Sequence, residues 1–500
     1  MSKYLLIILA VLNTAVYSNY NTPGTSRSWS LDSLVLYSGG DVTFSGGSYF
    51  FNDTILLSAS DTLKIRTNST VKLNSLVVFY VLGTLIVNPP DSAKFTSTDT
   101  TQRFYEMRLD STSDASVLKK LIFEQSINGI RLLDTSPLID SCFIRANCFG
   151  NTSTTASAIN LFRSNPVISS CRIIRNNRVA IGGGSNIANA PQIINNFIIE
   201  NNIANGNVPQ INLGQSGSGT TLIKGNTIRG LYTNAGGIAT LALGTLNIII
   251  EDNIIKNNRY GIAIQNANTF AIIRNNIIDS NNIQGIGSLG GSGINFNGTS
   301  TVTAIVTRNM IRWNLWGVTI QNSAKPNLGN LNNSDTSDNG FNYIYGNFHN
   351  DTIPDLFNNT ADSIWAENNF WGTGNPSIIE QHIFHKPDNP ALGFVDYIPV
   401  YIPVSVNPVS AIAESYNLSD AYPNPFNPET TIKFSLPQKE KVTLEIFDIT
   451  GRLTKTLLNS QLDKGTYSIK FNGERLASGI YFYRLSAGNF RVTKKLILVK

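Results

Sequence analysis

The chain has 500 residues, more than a single ordinary core holds, so at least two folding units are expected. Charged residues are only 14 % of it, while Asn, Ser, Thr and Gly are abundant, a composition suited to a β-protein whose turns are built from small polar residues. The formal charge of +5 does not indicate nucleic acid: residues 421–500 hold 13 basic and 6 acidic groups, leaving 25 and 27 in the rest, so the excess is confined to the tail.

Residues 1–18 read as a secretory signal peptide. Lys3 supplies the positive n-region, residues 5–12 the short apolar run, and Val16 and Ser18 precede a cleavage point before Asn19. That run is too short to span a bilayer, and no later segment reaches transmembrane length.

From there to residue 401 the chain repeats itself. The pattern Asn-x-Ile-x-x-Asn starts at Cys142, Cys171, Asn196, Asn226, Asn253, Asn276, Asn309, Asn342 and Asn369, at steps of 23 to 33 residues. Ile144, Ile173, Ile198, Ile228, Ile255, Ile278, Ile311 and Ile344 follow two places on, then Trp371. Five places on stand Asn147, Asn176, Asn201, Asn258, Asn281, Asn314 and Asn347, with Leu231 and Gly374 breaking the series. Such a repeat stacks each Ile on the next coil about 4.8 Å away and lets the Asn amides form ladders, while unequal coil lengths go into loops. Recurring Leu and a helical segment, which a leucine-rich solenoid requires, are absent from the pattern. The repeat resembles the right-handed parallel β-helix proteins over 19–401. Leu63, Ile65, Leu85 and Val87 belong to the first coils, and Trp371 is expected to plug the open end.

The resemblance directs attention to polysaccharide chemistry, which needs paired carboxylates for hydrolysis, or carboxylates with calcium and a base for elimination. Between residues 190 and 330 only Glu200, Glu251, Asp252 and Asp279 occur. In the repeat frame they do not stack on one another, and Arg229, Lys256, Asp279 and Arg312 read as an outward charge ladder. Other acids lie towards the ends: Asp110, Asp114, Glu124, Asp134 and Asp140, then Asp335, Asp338, Asp351 and Asp355. The second group is Asn-rich, so calcium is the one cofactor to consider, but its spacing matches no calcium motif and a solvated loop is expected. His382 and His385 lack a third ligand of suitable spacing for zinc. Cys142 and Cys171 share a repeat position and are expected as buried thiols in place of Asn, with Cys148 left over. Tyr260, Trp313 and Trp316 are the candidate glycan-stacking residues. Tyr260 and Trp316 both precede a corner glycine and are expected to stack.

Residues 402–420, rich in Pro and Val, read as a linker. Residues 421–500 differ in kind: Ile432, Phe434 and Leu436, then Val442, Leu444 and Ile446, then Tyr467, Ile469 and Phe471 alternate as in a small antiparallel Ig-like sandwich. Four segments resemble the type A sorting domain of the type IX secretion system: the opening through Pro423, Asn424, Pro425 and Phe426, the turn at Gly451, the run with Gly479 and Tyr481, and the terminus with Lys494 and Lys495. The resemblance implies contact with the secretion machinery, export across an outer membrane, and a secreted or cell-surface location. The expected fold is all-β, a right-handed parallel β-helix followed by a sandwich. Two functions stay open: a noncatalytic surface or glycan-binding protein, and a polysaccharide lyase or glycoside hydrolase with its site near one end of the solenoid.

Overall fold

The computed structural model describes residues 19–500 except 154–155, 288–289, 351–353, 403–405, 411–414 and 475. The expected signal peptide and Asp351 lie outside the described residues. The chain divides after Tyr401 into two compact units.

The first unit is a parallel β-helix. Each coil contributes one strand to each of three sheets: Ile262–Asn266, Thr269–Arg274 and Ile277–Asp279 form one such coil. We number the sheets first, second and third in that order. They hold fourteen, twelve and thirteen strands, and pairing is parallel except for one hairpin, Val42–Ser45 with Ser48–Phe51. Register is set by the side chains that alternate inward. Ile262 pairs with Ile238 before it and Ile294 after it, and Ile255 with Ile228 and Ile278. The eight isoleucines of the repeat are fully buried, each contributing about 1.5–3 kcal/mol by leaving water.

Two buried ladders run along this core. In the first, Asn276 Nδ2 donates to Asn309 Oδ1 at 2.9 Å and to the Ile250 carbonyl at 2.8 Å, while its Oδ1 accepts from Asn253 N and Nδ2. The same contacts recur from Asn196 to Asn369. Cys142 and Cys171 replace the early rungs as free buried thiols, with Cys142 N donating to Cys171 Sγ at 3.4 Å. Burial pushes both the Cys142 thiol and that of Cys148 up, the latter to about 12. The second ladder begins at Ser126, whose hydroxyl donates to Asn147 Oδ1. It is not broken where Leu231 interrupts the pattern. Leu231 points into solvent, and Gln210 takes the rung: its Oε1 accepts from Asn201 Nδ2, and its Nε2 donates to Asn258 Oδ1, both at 3.0 Å.

Both ends of the solenoid are closed, as exposed strand edges and apolar ends require. At the start, Ser30 caps helix Leu31–Tyr37 through a capping box, and Leu31, Leu34 and Trp29 are buried. At the far end Trp371 is fully buried, but it is not the plug: Ile383–Phe384 adds another strand to the first sheet, and Ile364–Trp365 pairs with Val395–Asp396. The short helix Pro376–Ile379 with buried Ile379, together with Ile383, Val395 and Tyr397, extends the core beyond it.

The second unit is a sandwich of two four-stranded sheets. Ile432, Phe434, Leu436, Val442, Leu444, Ile446, Ile469 and Phe471 fill its core. The linker expectation needs correction within 402–420, because Val406–Ser410 pairs with Gly465–Asn472 and Asn417–Leu418 with Glu429–Leu436. Leu418 is buried in the sandwich core. No helix among the described residues is long and apolar enough to cross a membrane.

Candidate functional site

Because strands alternate, one column of first-sheet side chains faces outward along the whole solenoid, one per coil. Its chemistry changes along the axis. It runs from Asn21 and Leu56 to Tyr80, Arg108 and Arg131, continues through Asn160, Gly182 and Asn212 to the small Ala239 and Ala263, and ends with Asn295, Thr319, Phe357 and Phe384. Two places further along each strand runs a second row, Gln265, Asn297, Gln321 and Asn359, half-buried or exposed. These carboxamides line two adjoining hollows of about 600 and 470 Å³ that share Asn297 and Asn322.

Asn295 links the two rows, its Nδ2 donating to Gln321 Oε1 at 3.4 Å. Asn295 Nδ2 donates to Thr319 Oγ1 at 2.6 Å, and Asn322 Nδ2 to Asn297 Oδ1 at 2.5 Å. Beside them rings are arranged in a row. Trp316 stacks on Phe357 at 5.7 Å and 28°, Phe357 meets Phe384 edge-on at 5.1 Å, and His349 lies 5.5 Å from Trp316. Phe384 is 43 % exposed. Rows of amides spaced by one coil, bordered by aromatic faces, can bind hydroxyls and C–H surfaces of an extended neutral chain.

Only one of the three expected stacking residues belongs to this arrangement. Tyr260 does not stack with Trp316, because Ser292 stands between them: Ser292 pairs with Trp316, and Gly261 N donates to Ser292 O. The Tyr260 ring instead covers Gly236, where a Cβ would come within 2.1 Å of it, and burial pushes its hydroxyl pKa up to about 12. Trp313 is half-exposed under the Arg312 guanidinium, 4.0 Å from its ring. Phe357 and Phe384 lie in strands without the Asn-x-Ile pattern; their signal was the bare alternation in Leu356, Phe357, Asn358.

The carboxylates occupy other places. Glu251 lies between Lys224 (2.7 Å) and Arg274 (2.6 Å), and the Lys224 contact leads in holding its pKa below the usual range. Arg175 leads in doing the same for Glu200, with Arg229 on its other side at 2.8 Å. Arg229, Lys256, Asp279 and Arg312 are consecutive register partners on the third sheet, as the repeat frame predicts. Burial raises Glu124, but Lys94 and Arg145 outweigh it and its pKa falls. Asp134 pairs with Arg163, Asp140 with Ser169 and Lys119, and Asp114 accepts from Ser136 N. His382 Nδ1 lies 3.0 Å from Asp355, whereas His385 Nε2 lies 2.9 Å from Glu380 and its Nδ1 accepts from Val395 N, so the two imidazoles serve different carboxylates. No group of three His, Cys, Asp or Glu side chains that could hold a metal ion occurs among the described residues. One acid missed in the sequence stands apart. Glu106, at the Arg108–Arg131 end of the first sheet, is 2 % exposed; burial raises its pKa against the nearby Arg131, and Asn128 donates to it at 3.0 Å. Next to it Asp110 accepts from Tyr80 and Arg108.

In the second unit the motif residues are structural contacts of one another. Asn424 Nδ2 donates to Lys495 O, Ile497 N donates to Asn424 Oδ1, and Phe426 is buried with its N–H on Ile497 O. Pro423 O accepts from Thr430, Tyr481 Oη donates to Ala477 O, and Lys494 Nζ reaches Asp420 at 2.8 Å. Pro425 is exposed, and Gly451 turns at φ +82°. Gly479 opens the strand Gly479–Ala487, which carries Tyr481.

Residues 420–500 match the family described as the secretion system C-terminal sorting domain. That domain marks the chain for type IX export to the cell surface or the extracellular space and implies contact with the secretion machinery. No curated protein matches the chain. Among solved structures it is similar to a tailspike protein mutant of E. coli bacteriophage HK620 in complex with a pentasaccharide, at 10 % identity and a TM-score of 0.32, over 91 % of this chain and 86 % of that one.

Proposed function

We propose that the solenoid is a noncatalytic glycan-binding element, displayed outside the cell, that takes a neutral polysaccharide along its first sheet. The observation that carries this reading is the row Gln265, Asn297, Gln321 and Asn359 beside Trp316, Phe357 and Phe384; the one carboxylate lining the two hollows, Asp362, is paired with Lys325 at 3.2 Å. Uncharged amides and rings favour uncharged hydroxyl-rich ligands, since a charged one would lose hydration without gaining a partner. Affinity electrophoresis of the exported protein through gels containing neutral or uronate-rich polysaccharides tests it. Retardation by a neutral polymer, reduced in a Gln321→Ala/Phe357→Ala variant, is expected. Retardation by anionic polymers alone would overturn it.

A second reading, a polysaccharide-cleaving enzyme with its site near one end, is favoured by Glu106. A buried acid with a raised pKa beside Arg131, on the same outward face, has the character of a general acid. Release of reducing ends or unsaturated products that is lost in Glu106→Gln, with folding intact, would make this the better account.

A further inference from the structure

Inside the solenoid, stacked coils repeat the same side chain: from Asn196 to Asn369 each amide lies on an identical one and bonds to it. The outward amides of the first sheet behave differently. Gln265, Asn297, Gln321 and Asn359 are register partners one coil apart, yet they alternate in length by one methylene. Among the described residues no hydrogen bond joins any of them to the next in the row; Asn297 and Gln321 bond sideways instead, to Asn322 and Asn295.

The residue after each amide alternates as well. Asn266 and Asn322 follow the glutamines and hold left-handed backbone, at φ +87° and +60°, whereas Gly298 and Thr360 follow the asparagines and do not. Gly298 is closed to any side chain, because a Cβ there would come within 2.2 Å of the Asn266 carbonyl oxygen. A broad coil therefore alternates with a narrow one, twice over. The two hollows keep the same step: the first holds Gln265 and Asn297, the second Gln321 and Asn359, each a broad coil with the narrow one after it. The row ends at four amides. Leu241 precedes Gln265 in register, and the next strand, Ile383–Phe384, pairs only with Leu356 and Phe357.

Coils about 4.8 Å apart give this pattern a repeat of about 10 Å along the axis. An extended glycan with equatorial 1,4 linkages has a matching period, since each ring is turned over relative to the last and two sugars make one repeat, about two coils long. A chain with axial 1,4 linkages winds into a helix and presents no straight row of hydroxyls. A carboxamide offers a donor at one end and an acceptor at the other whichever way it is turned, so amides at alternating depths can meet rings of alternating orientation.

Resting on the reading of this face as a neutral-glycan site, we propose that the two hollows are consecutive subsites, each for one disaccharide unit of an extended, equatorially 1,4-linked glycan lying along the solenoid axis. The bound segment is then four sugars long.

Isothermal titration of the full exported chain with β-1,4-linked gluco- and manno-oligosaccharides of two, four and six units, beside α-1,4-linked gluco-oligosaccharides of the same lengths, tests linkage and length together. In at least one β-1,4 series the tetrasaccharide is expected to bind roughly tenfold more tightly than the disaccharide, the hexasaccharide to gain less than about twofold more, and the α-1,4 tetrasaccharide to bind about tenfold more weakly or worse. Gln321→Asn, which removes the alternation but keeps the amide, is expected to weaken the tetrasaccharide about fivefold and to leave the disaccharide within about twofold, since Gln321 does not line the first hollow. Equal binding of α- and β-linked series, or an affinity that climbs as steeply from four to six units as from two to four, would overturn the proposal and leave neutral-glycan binding standing. Retardation by a neutral polymer without binding of either β-1,4 series would do the same. Failure of every neutral polymer to retard the protein would remove both.

Discussion

The solenoid and the C-terminal sandwich bury apolar side chains by the same alternation along their strands, yet their strands are held in place by different means. In the sandwich, Ile432, Phe434 and Leu436 face Ile469, Tyr467 and Gly465 across an antiparallel pair, and register follows from pairing and packing alone. In the solenoid every strand pair but the Val42–Ser45 hairpin is parallel, the pairs are short, often three residues, and two lines of buried amides accompany the apolar stacks. A ladder of amides costs desolvation at every rung and returns it only if each rung finds the next. Parallel coils of unequal length therefore gain a register that apolar stacking would leave free to slip.

The largest effect is expected from separating the two units. A chain ending at Tyr401 retains all of the solenoid core and both of its end closures, so it is expected to fold and to accumulate in the periplasm, since it lacks the sorting domain. Cell fractionation with circular dichroism checks both halves of the statement. Surface delivery of the truncated chain would detach export from the sandwich, and an unfolded product would show that the solenoid depends on it.

Within the solenoid the ladders can be broken one rung at a time. Asn276→Leu removes the acceptor of Asn253 N and the donor to the Ile250 carbonyl, both buried, and is expected to cost about 3 kcal/mol in denaturant titration. Gln210→Ala is expected to cost less, about 2 kcal/mol, because Asn201 Nδ2 keeps the Ile173 carbonyl, which leaves Asn258 Oδ1 as the main group without its partner. An unchanged midpoint for Asn276→Leu would mean that the amides are ornamental to the apolar stacks.

These two positions also mark how far the molecule could be read from its residues. Asn276 sits in a pattern because stacked coils repeat a side chain at the same point of the turn, so periodicity alone exposes the ladder and the isoleucines beside it. Gln210 could not be read in that way. It belongs to the next strand of the first sheet, nine residues after Asn201, and substitutes in space for a rung that Leu231 vacates in sequence. The candidate site suffered from the same limit. Gly261 and Gly317 look like successive corners until the long connection after Asn281 is seen to deliver Ser292 and Gly293 between them, which separates Tyr260 from Trp316 by a coil. The end closures and the Val406–Ser410 strand occur once each, and a feature without a second copy leaves no period to find.

The smallest expected effect tests where the second ladder stops. Its last rung is a carboxylate, Asp355: Oδ1 accepts from Asn347 Nδ2 at 2.7 Å, and Oδ2 faces His382 Nδ1 at 3.0 Å. Burial raises its pKa, with His382 and Asn347 acting in the opposite direction. A carboxyl whose folded pKa lies above the unfolded value of about 3.9 holds its proton more tightly when folded. Its stabilising contribution is full below that pH and is lost as pH rises through the folded value. Asp355→Asn keeps the acceptor for Asn347 and cannot ionise. The variant is therefore expected to gain on the wild type as pH rises from about 4, by a difference in melting temperature that other acids cancel from, since Glu200 and Glu251 titrate identically in both chains. A difference that instead shrinks with rising pH would mean that the ionised carboxylate, paired with the His382 imidazole, is the form the fold prefers, and the ladder would end on an ion pair rather than on a hydrogen bond.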